Sequence, residues 1–573
     1  MSAPLDALAA AGAALLADAF AGYHERFYAL TERVAGRFAE RDWRGIQADA
    51  AARVDLYAAA VDEAEAGLRA LLGPAAGDQA LWLAMKERYA AQIAGRPDHE
   101  QAATFFNSMT RRLLVTIGVN QELEFVLGGG HPGIAAESIF RVYERAGSTA
   151  ETLGRLLDDL APALAWADRA GDVALAAAAI DEQLAEHGGW PANGRIEAVA
   201  ALFYRNKGAY LVARIAGGAE PVPLVLALLH PPEGLRIDAA LTTAIEVSVL
   251  FSFTRSAFHA AEPRSAGLVA FLATLMPRKP PAELYSALGF HKHAKTVLYC
   301  DLMRHLRGSR DRFVIAPGER GMVMIVFTLP SYNVVFKLIK DQFAPPKDTT
   351  HKAVMAKYLL VFRHDRAGRL VDAQEFEHLR FERGRFEPAL LDELLRVAGK
   401  AAQVEGDDVI IKHAYVERRV TPLDVYLREV GEEEARAAAL DFGRAIRDLA
   451  ASNIFPGDML LKNFGVTRNR RVAFYDYDEL MLLTDCIFKA MPAPSSYDEE
   501  MAAEPWFAVG ENDVFPEEFG HFLGLRAPLR QLFMEQHGEL LTVAFWRGIQ
   551  ARLRAGEVPD IIPYAGERRL RQP

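Results

Sequence analysis

Four segments in the C-terminal half carry side chains suited to phosphoryl transfer, in the order that chemistry needs. The reaction asks a protein for a phosphate cradle, a lysine on the phosphates, metal-binding acids, and a group that orients or deprotonates the nucleophile. The candidate cradle is Ala316-Pro317-Gly318-Glu319-Arg320-Gly321-Met322, whose two glycines let the backbone approach closely and aim N–H groups at phosphate oxygens. The lysine is Lys337, embedded in the apolar run Val334 to Ile339, where an ammonium must find a partner or reach water. Lys340 is its near competitor. Asp458 is followed five positions later by Asn463, a spacing that suits a proton acceptor for a substrate hydroxyl and a magnesium ligand. The apolar run Val472 to Phe474 leads into Tyr475-Asp476-Tyr477-Asp478-Glu479, with Asp476 thirteen residues beyond Asn463. Magnesium prefers hard carboxylate oxygens, so Asp476 is the metal-binding candidate.

Singly, each segment has a plainer use. G-x-x-G between strands is usually a hairpin turn, a strand lysine can snorkel, a D-x-x-x-x-N pair arises by chance, and an acidic turn is commonly just solvated. Order and spacing together match the protein-kinase pattern. Two departures stand out: Pro456-Gly457 replaces the His-Arg before the catalytic Asp, and Tyr477-Asp478 replaces the Phe-Gly after the metal-binding one.

The elements needed to position these groups are readable. Phe313 to Ala316, Met322 to Phe327 and Asn333 to Ile339 are short strand-like runs separated by turn residues. A helix (352–362), a strand (Asp408 to Lys412), a helix (433–451), a loop (452–465), a strand (Val472 to Tyr475) and a mainly helical tail follow. That is a small sheet lobe leading into a helical lobe. Upstream, residues 1 to about 190 read as helical. Leu8, Leu15, Leu16, Phe20, Tyr23, Phe27, Leu30, Val34 and Phe38 form one helix face, expected to be core. Further helices are expected over 51–72, 78–94, 100–117 and 149–185, with breaks at Gly73-Pro74, Gly95-Arg96-Pro97 and Gly128 to Gly133. Ile196 to Tyr204 and Tyr210 to Ile215 flank Asn206-Lys207-Gly208 as a hairpin, Pro223 to Leu229 is a third strand, and 235–306 is helical again.

Composition bounds the function. At 573 residues the chain exceeds one hydrophobic core, and 51% apolar with 25% charged residues is a folded, globular profile. A net charge of −11 argues against a general nucleic-acid binder. Two cysteines, Cys300 and Cys486, make neither a disulfide framework nor a zinc site, which fits a reducing cytoplasm. The alanine-rich N-terminus lacks a basic leader, and Asp6 and Asp18 interrupt its apolar run, so neither a signal peptide nor a membrane span is expected.

Longer strings carry a resemblance. Gly321-Met322-Val323-Met324 through Phe327-Thr328-Leu329-Pro330-Ser331-Tyr332, Phe336 to Asp341, Tyr415-Val416-Glu417-Arg418-Arg419, Pro456-Gly457-Asp458-Met459 through Lys462 to Thr467, and Phe474 to Glu479 resemble isocitrate dehydrogenase kinase/phosphatase. Ala503-Glu504-Pro505-Trp506 and Asp513 to Phe519 do so too. The resemblance spans essentially the whole chain and is strongest from 311 to 520.

It implies an α+β protein: a mainly helical regulatory domain (1–310) with a small inserted sheet near 196–229, then a bilobal protein-kinase-like catalytic domain (311–573). The small lobe would run to about 415 and the large lobe from about 416. It implies a bifunctional enzyme that phosphorylates an active-site serine of isocitrate dehydrogenase, repelling that enzyme's anionic substrate and diverting carbon into the glyoxylate bypass, and that removes the same phosphate. ATP/ADP and Mg²⁺ (or Mn²⁺) would serve one shared site. AMP would shift the balance toward the phosphatase. A cytoplasmic homodimer with no nucleic-acid or membrane partner is expected.

Carried over by position, the nucleotide loop falls on Ala316 to Met322 and the nucleotide-contacting lysine on Lys337. An active-site aspartate falls on Asp372, which the residues alone read as a helix N-cap. Glu417 would lie at the hinge to adenine, and the acid pairing Lys337 is sought at Glu375 or Glu377. Asp478 and Glu479 are assigned to orient a hydrolytic water. Two rival readings are a nucleotide-binding pseudokinase scaffold and a small-molecule phosphotransferase of the aminoglycoside-kinase type. Retention of Lys337, Asp458, Asn463 and Asp476 together argues against the first, and the long helical N-terminal half against the second.

Overall fold

A computed structural model describes residues 3–126, 139–145, 147–186, 188–252, 255, 257–345, 347, 349–492 and 507–571. The expected break at Gly128 to Gly133 and the string Ala503 to Trp506 lie outside these. The chain adopts the α+β class expected for it.

The N-terminal half opens with α1 (Ala3–Glu40), α2 (Trp43–Leu72), α3 (Gln79–Ile93) and α4 (His99–Leu114). The α1 stripe is core: Leu16, Phe20, Tyr23, Phe27, Val34 and Phe38 are buried, while Leu8, Leu15 and Leu30 are partly so. By length and composition alone, Leu5–Glu40 is apolar enough to cross a membrane. Here its stripe packs against Tyr57 and Leu68 of α2 and Trp82 of α3. Next come β1 (Phe140–Glu144), α5 (Thr149–Leu160) and α6 (Arg169–Ala185). The single helical stretch expected over 149–185 is therefore two helices. A Ser148–Glu151 capping box starts the first, and Asp168 caps the second through the Gly171 N–H.

The inserted sheet comprises β1, β2 (Arg195–Val199), β3 (Phe203–Arg205), β4 (Gly208–Ala216), β5 (Val222–Leu229), β6 (Arg236–Leu241) and β7 (His259–Ala260). The expected hairpin is β3–β4, turning on Asn206 at φ +50°; the run before it splits into β2 and β3. Residues 235–306 are not all helical, because β6 and β7 lie within them beside α7 (Ala244–Leu250), α8 (Ser265–Leu275), α9 (Pro281–Ala287) and α10 (His291–Gly308). The reason is burial on both faces. Ile237 packs with Ile180 of α6, whereas Ala239 and Leu241 join the core of α1 and α8. A strand covered on both sides loses the alternation that distinguishes it from a helix.

The C-terminal half begins with β8 (Val314–Ile315), β9 (Met324–Leu329), β10 (Tyr332–Ile339), α11 (His351–His364), β11 (Ala373–Glu382), α12 (Pro388–Val397), β12 (Ala402–Glu405) and β13 (Asp408–Arg418). Its sheet runs β11-β13-β10-β9-β8, with β12 also on β13. Neither β11 nor α12 was expected. Side chains alternate across each strand. Phe327 and Phe336 stack at 5.1 Å on the face covered by α12 and by Leu302 and Leu306 of α10. Ile339 and Tyr415 look the other way, toward α11 and the second lobe.

That second lobe holds β14 (Thr421–Pro422), α13 (Leu423–Glu429), α14 (Glu432–Ala451), β15 (Ile454–Phe455), β16 (Phe464–Val466), β17 (Val472–Phe474) and β18 (Met481–Leu482), then tail helices Ala527–His537 and Val543–Arg554. The loop expected over 452–465 contains β15 and ends on β16. Arg369, 1% exposed, fixes this lobe to the first. It donates bidentately to Asp441 (2.7 and 2.9 Å) and also to Asp448 (2.7 Å) and the Val472 carbonyl (2.9 Å). Burial alone would raise Asp441, but Arg369 holds its carboxyl far below the usual range.

Candidate active site

The register of β10 and β13 sets Val335 opposite Glu417 and Lys337 opposite Tyr415, so Lys337 and Glu417 share a face as diagonal neighbours. Lys337 Nζ lies 2.8 Å from Glu417 Oε2 and donates to the Tyr475 carbonyl at 2.7 Å. Tyr358 of α11 donates its O–H to Glu417 Oε1 at 3.1 Å. Burial pushes the Glu417 carboxyl up, and the Lys337 ammonium and the Tyr358 hydroxyl oppose it.

This places the acid sought for Lys337. It is neither Glu375, which contacts His413 at 2.9 Å, nor the exposed Glu377. It is Glu417, near the end of β13, whose backbone lies between β10 and β11 and whose side chain turns to Lys337. Lys340 does not compete for the cleft, because its Nζ is bound to the Gly321 carbonyl.

The acidic segment follows β17. Tyr477 is buried, donates its O–H to the Val371 carbonyl, and meets Tyr358 edge-on at 5.1 Å. Tyr358 in turn stacks on Tyr415 at 3.6 Å. This aromatic column ties the sheet, α11 and the acids together. Pairing of β15 with β18 folds the Asp458 loop onto the same segment. Gly457 has φ +76°, and a Cβ there would lie 2.4 Å from Glu479 Cβ, so only glycine fits. Asn463, buried, donates its side-chain amide to the Asp458 carbonyl at 3.2 Å, and its own carbonyl accepts from Tyr475 N–H at 3.0 Å.

Lys337, Asp458, Asn463, Asp476, Asp478 and Glu479 are thereby brought to one cleft. Burial, with Glu479 and Asp476 adding repulsion, raises the Asp458 carboxyl. Asp478 is pushed up to about 7 by burial and by the charge of Asp476. Among the described residues no three His, Cys, Asp or Glu side chains converge as a closed metal cage. An open pair, the Asp476 carboxylate and the Asn463 side-chain oxygen, suits magnesium, which takes one or two protein ligands and completes its shell with phosphates and water.

The Ala316 to Met322 loop joins β8 to β9 over this cleft. Ala316 N–H bonds the Val326 carbonyl at 3.0 Å, Gly318 has φ +114°, and a Cβ on Gly321 would lie 2.8 Å from the Met324 carbonyl. Arg320 pairs with Glu393 at 2.9 Å. Glu319 reaches Lys462 of the Asp458 loop at 2.9 Å, linking the two sides.

Asp372 stands apart from these acids. No helix begins there to be capped; it precedes β11. Its carboxylate accepts from Arg255 (2.9 Å) and Ser286 (3.0 Å) of the N-terminal half and from Gln374 (3.3 Å). It lines a cleft between the halves with Phe251, Glu283, Val416 and Arg418. None of its hydrogen-bond partners among the described residues belongs to the Asp458–Glu479 group.

Two residues of the site escaped sequence reasoning. Tyr358 looked like one more apolar helix position. Lys347, in the β10–α11 connection, pairs with Glu479 although nothing in its local pattern marks it.

Comparison with known proteins gives matches along the chain. The family description "isocitrate dehydrogenase kinase/phosphatase (AceK) kinase domain" matches residues 311–566, and the regulatory domain of the same family matches 13–310. The isocitrate dehydrogenase kinase/phosphatase of Anaeromyxobacter sp. (strain Fw109-5) is 51% identical over 572 residues, covering 100% of this chain and 99% of the relative. That of Anaeromyxobacter dehalogenans (strain 2CP-C) is 49% identical over 579 residues, covering 99% and 98%. That of Xanthomonas euvesicatoria pv. vesicatoria (strain 85-10) is 45% identical over 557 residues, covering 96% of each.

Proposed function

This chain belongs to the isocitrate dehydrogenase kinase/phosphatase family, and on that premise we propose that it phosphorylates a serine of isocitrate dehydrogenase and removes that phosphate at one shared site. The setting is bacterial cytoplasm and the branch between the tricarboxylic acid cycle and the glyoxylate bypass. The observation that carries the shared site is the single cleft in which Lys337 is bonded to the carbonyl of Tyr475, beside Asp476, while Asn463 holds the Asp458 loop against the same segment.

In the kinase direction ATP lies under the Ala316 to Met322 loop, whose N–H groups face its phosphates, and Lys337 holds the nucleotide phosphates. Asp458 accepts the seryl proton as the serine oxygen bonds the γ-phosphorus and the bond to ADP breaks. Asp476 and Asn463 would hold magnesium (or manganese), which neutralises β- and γ-phosphate charge when bound. In the phosphatase direction Asp478 and Glu479 orient a water, and Asp458 returns a proton to the departing serine oxygen. Asp372, the active-site aspartate by resemblance, accepts from Arg255 and Ser286 in a cleft that Glu417 also lines, which supports a role at the junction of the halves beside the site. AMP acts on the ratio of the two activities.

The test incubates the purified protein with isocitrate dehydrogenase, Mg²⁺ and γ-labelled ATP, then chases with AMP and unlabelled ADP. Label should enter a serine and then leave it. Absence of label in any protein, with nucleotide still bound, would overturn the reading in favour of a scaffold.

A further inference from the structure

Among the described residues three lysines line the cleft, each paired with a carboxylate. Lys337 is 8% exposed at its side chain and paired with Glu417, itself 1% exposed, so that pair is built into the sheet. Lys462 reaches across to Glu319 of the nucleotide loop. Lys347 differs in place and partner. It enters from the connection between β10 and α11, and its side chain is 15% exposed. It contacts Glu479, which is 48% exposed. Glu479 packs against Gly457, the residue before Asp458. Lys347 therefore lies on the Asp458 side of the cleft, the side to which the proposed function brings the serine.

A half-exposed ion pair is worth little, about 0–1 kcal/mol, so exchanging its partner is cheap. A phosphoryl group in transit spreads negative charge over three equatorial oxygens, and it offers a lysine more charge and more acceptors than one carboxylate. Resting on the proposed phosphoryl-transfer function, we propose that Lys347 is a catalytic residue: a cationic finger supplied in cis, which leaves Glu479 to hold the phosphoryl group in transit.

The exchange also releases Glu479. In the kinase step Lys347 moves no proton. The seryl O–P bond forms, the P–O bond to ADP breaks, and Asp458 takes the hydroxyl proton. In the hydrolytic step the water oxygen bonds phosphorus, Glu479 takes a water proton, the P–O bond to serine breaks, and Asp458 protonates the serine oxygen. Inorganic phosphate leaves. Glu479 can serve as that base only while Lys347 is on the phosphoryl group, which ties the hydrolytic step to the finger.

The experiment compares wild type, Lys347→Met and Lys347→Arg as full-length chains. It measures kcat and KM for phosphorylation of isocitrate dehydrogenase, phosphate release from the phosphorylated form, ADP affinity by calorimetry, and the melting midpoint. Removing one preorganised charge at a transition state costs about 10²–10³ in kcat. Lys347→Met should lose at least about 10²-fold of kcat in both directions, with ADP affinity within about threefold of wild type, and Lys347→Arg should recover at least about tenfold of that loss. Lys347→Met turning over within threefold of wild type would overturn the proposal. So would an equal loss in the Met and Arg variants, which would make Lys347 a structural residue. A wild-type protein that phosphorylates nothing refutes the parent function instead, and the same assay distinguishes that outcome.

Discussion

Lys337 and Glu417 pair across adjacent strands of one sheet, Nζ to Oε2 at 2.8 Å. In ordinary protein kinases the corresponding glutamate sits on a helix whose position controls activity. Here β10 and β13 hold both partners in a fixed register, and α11 contributes only the Tyr358 hydroxyl. Strand register therefore sets the pair, α11 reaches it through Tyr358, and the second lobe reaches it through the Tyr475 carbonyl.

The two partners should respond differently to removal. Glu417→Gln leaves a buried ammonium without its counter-charge and should cost about 3–5 kcal/mol in the unfolding transition of the small lobe. Lys337→Met leaves Glu417, whose carboxyl burial already pushes up, free to take a proton. That variant should stay folded while losing ATP affinity. Denaturation curves and nucleotide titrations check both. Equal destabilisation would contradict the asymmetry.

Tyr358→Phe deletes one hydroxyl and keeps the stack on Tyr415 at 3.6 Å. Loss of a hydrogen bond to a charged group costs about 1.5–3 kcal/mol. The expected result is a lower melting midpoint and a raised KM for ATP, with KM for isocitrate dehydrogenase unchanged. Steady-state kinetics with each substrate varied separates these.

Gly457→Ala must strain a backbone at φ +76° and push the loop that carries Asp458 away from Glu479, because the new Cβ would meet Glu479 Cβ at 2.4 Å. Both phosphorylation and dephosphorylation should fall together, by about 10²-fold, since both use Asp458. An effect on one direction alone would show that the loop is not shared.

Asp365, at the end of α11, gives a pH signature. Burial pushes its carboxyl up to about 7, against the Gly368 and Ala367 N–H groups and the Arg205 charge. In the unfolded chain it titrates near about 3.9. Between those values the folded protein holds a proton that the unfolded chain lacks. The stabilisation this gives is complete below about pH 4 and lost as pH rises through about 7. Asp365→Asn keeps an acceptor for Ala367 and Gly368 and removes the titration. Its melting midpoint should fall less than that of wild type between pH 5 and 8, by an amount on the order of 1–3 kcal/mol in stability. Parallel curves would contradict this.

The chemistry was more legible than its wiring. Lys337, Asp458, Asn463 and Asp476 stood out because each is a polar residue at a fixed spacing on or beside an apolar run. Which acid serves Lys337 was not legible. That depends on strand register, and β10 and β13 are brought together from residues as far apart as Val335 and Glu417. The same holds for Asp372, whose local string reads as a cap while its partners, Arg255 and Ser286, come from the other half of the chain. Strands marked by an apolar run between turn residues, such as β4, β5 and β10, were read correctly, whereas β6, covered on both faces inside a stretch read as helical, and β11, whose run is broken by Glu375, Glu377 and Arg380, were not. Lys347 had no local signal, because its meaning lies in Glu479, far along the chain.

The most direct test of one site serving two reactions is Asp458→Ala, assayed for label transfer to isocitrate dehydrogenase and for phosphate release from the phosphorylated enzyme. Nucleotide affinity is measured on the same preparation. Loss of both activities with ADP affinity retained is the predicted result. Phosphate release continuing at the wild-type rate would contradict a shared site and place the phosphatase elsewhere on the chain.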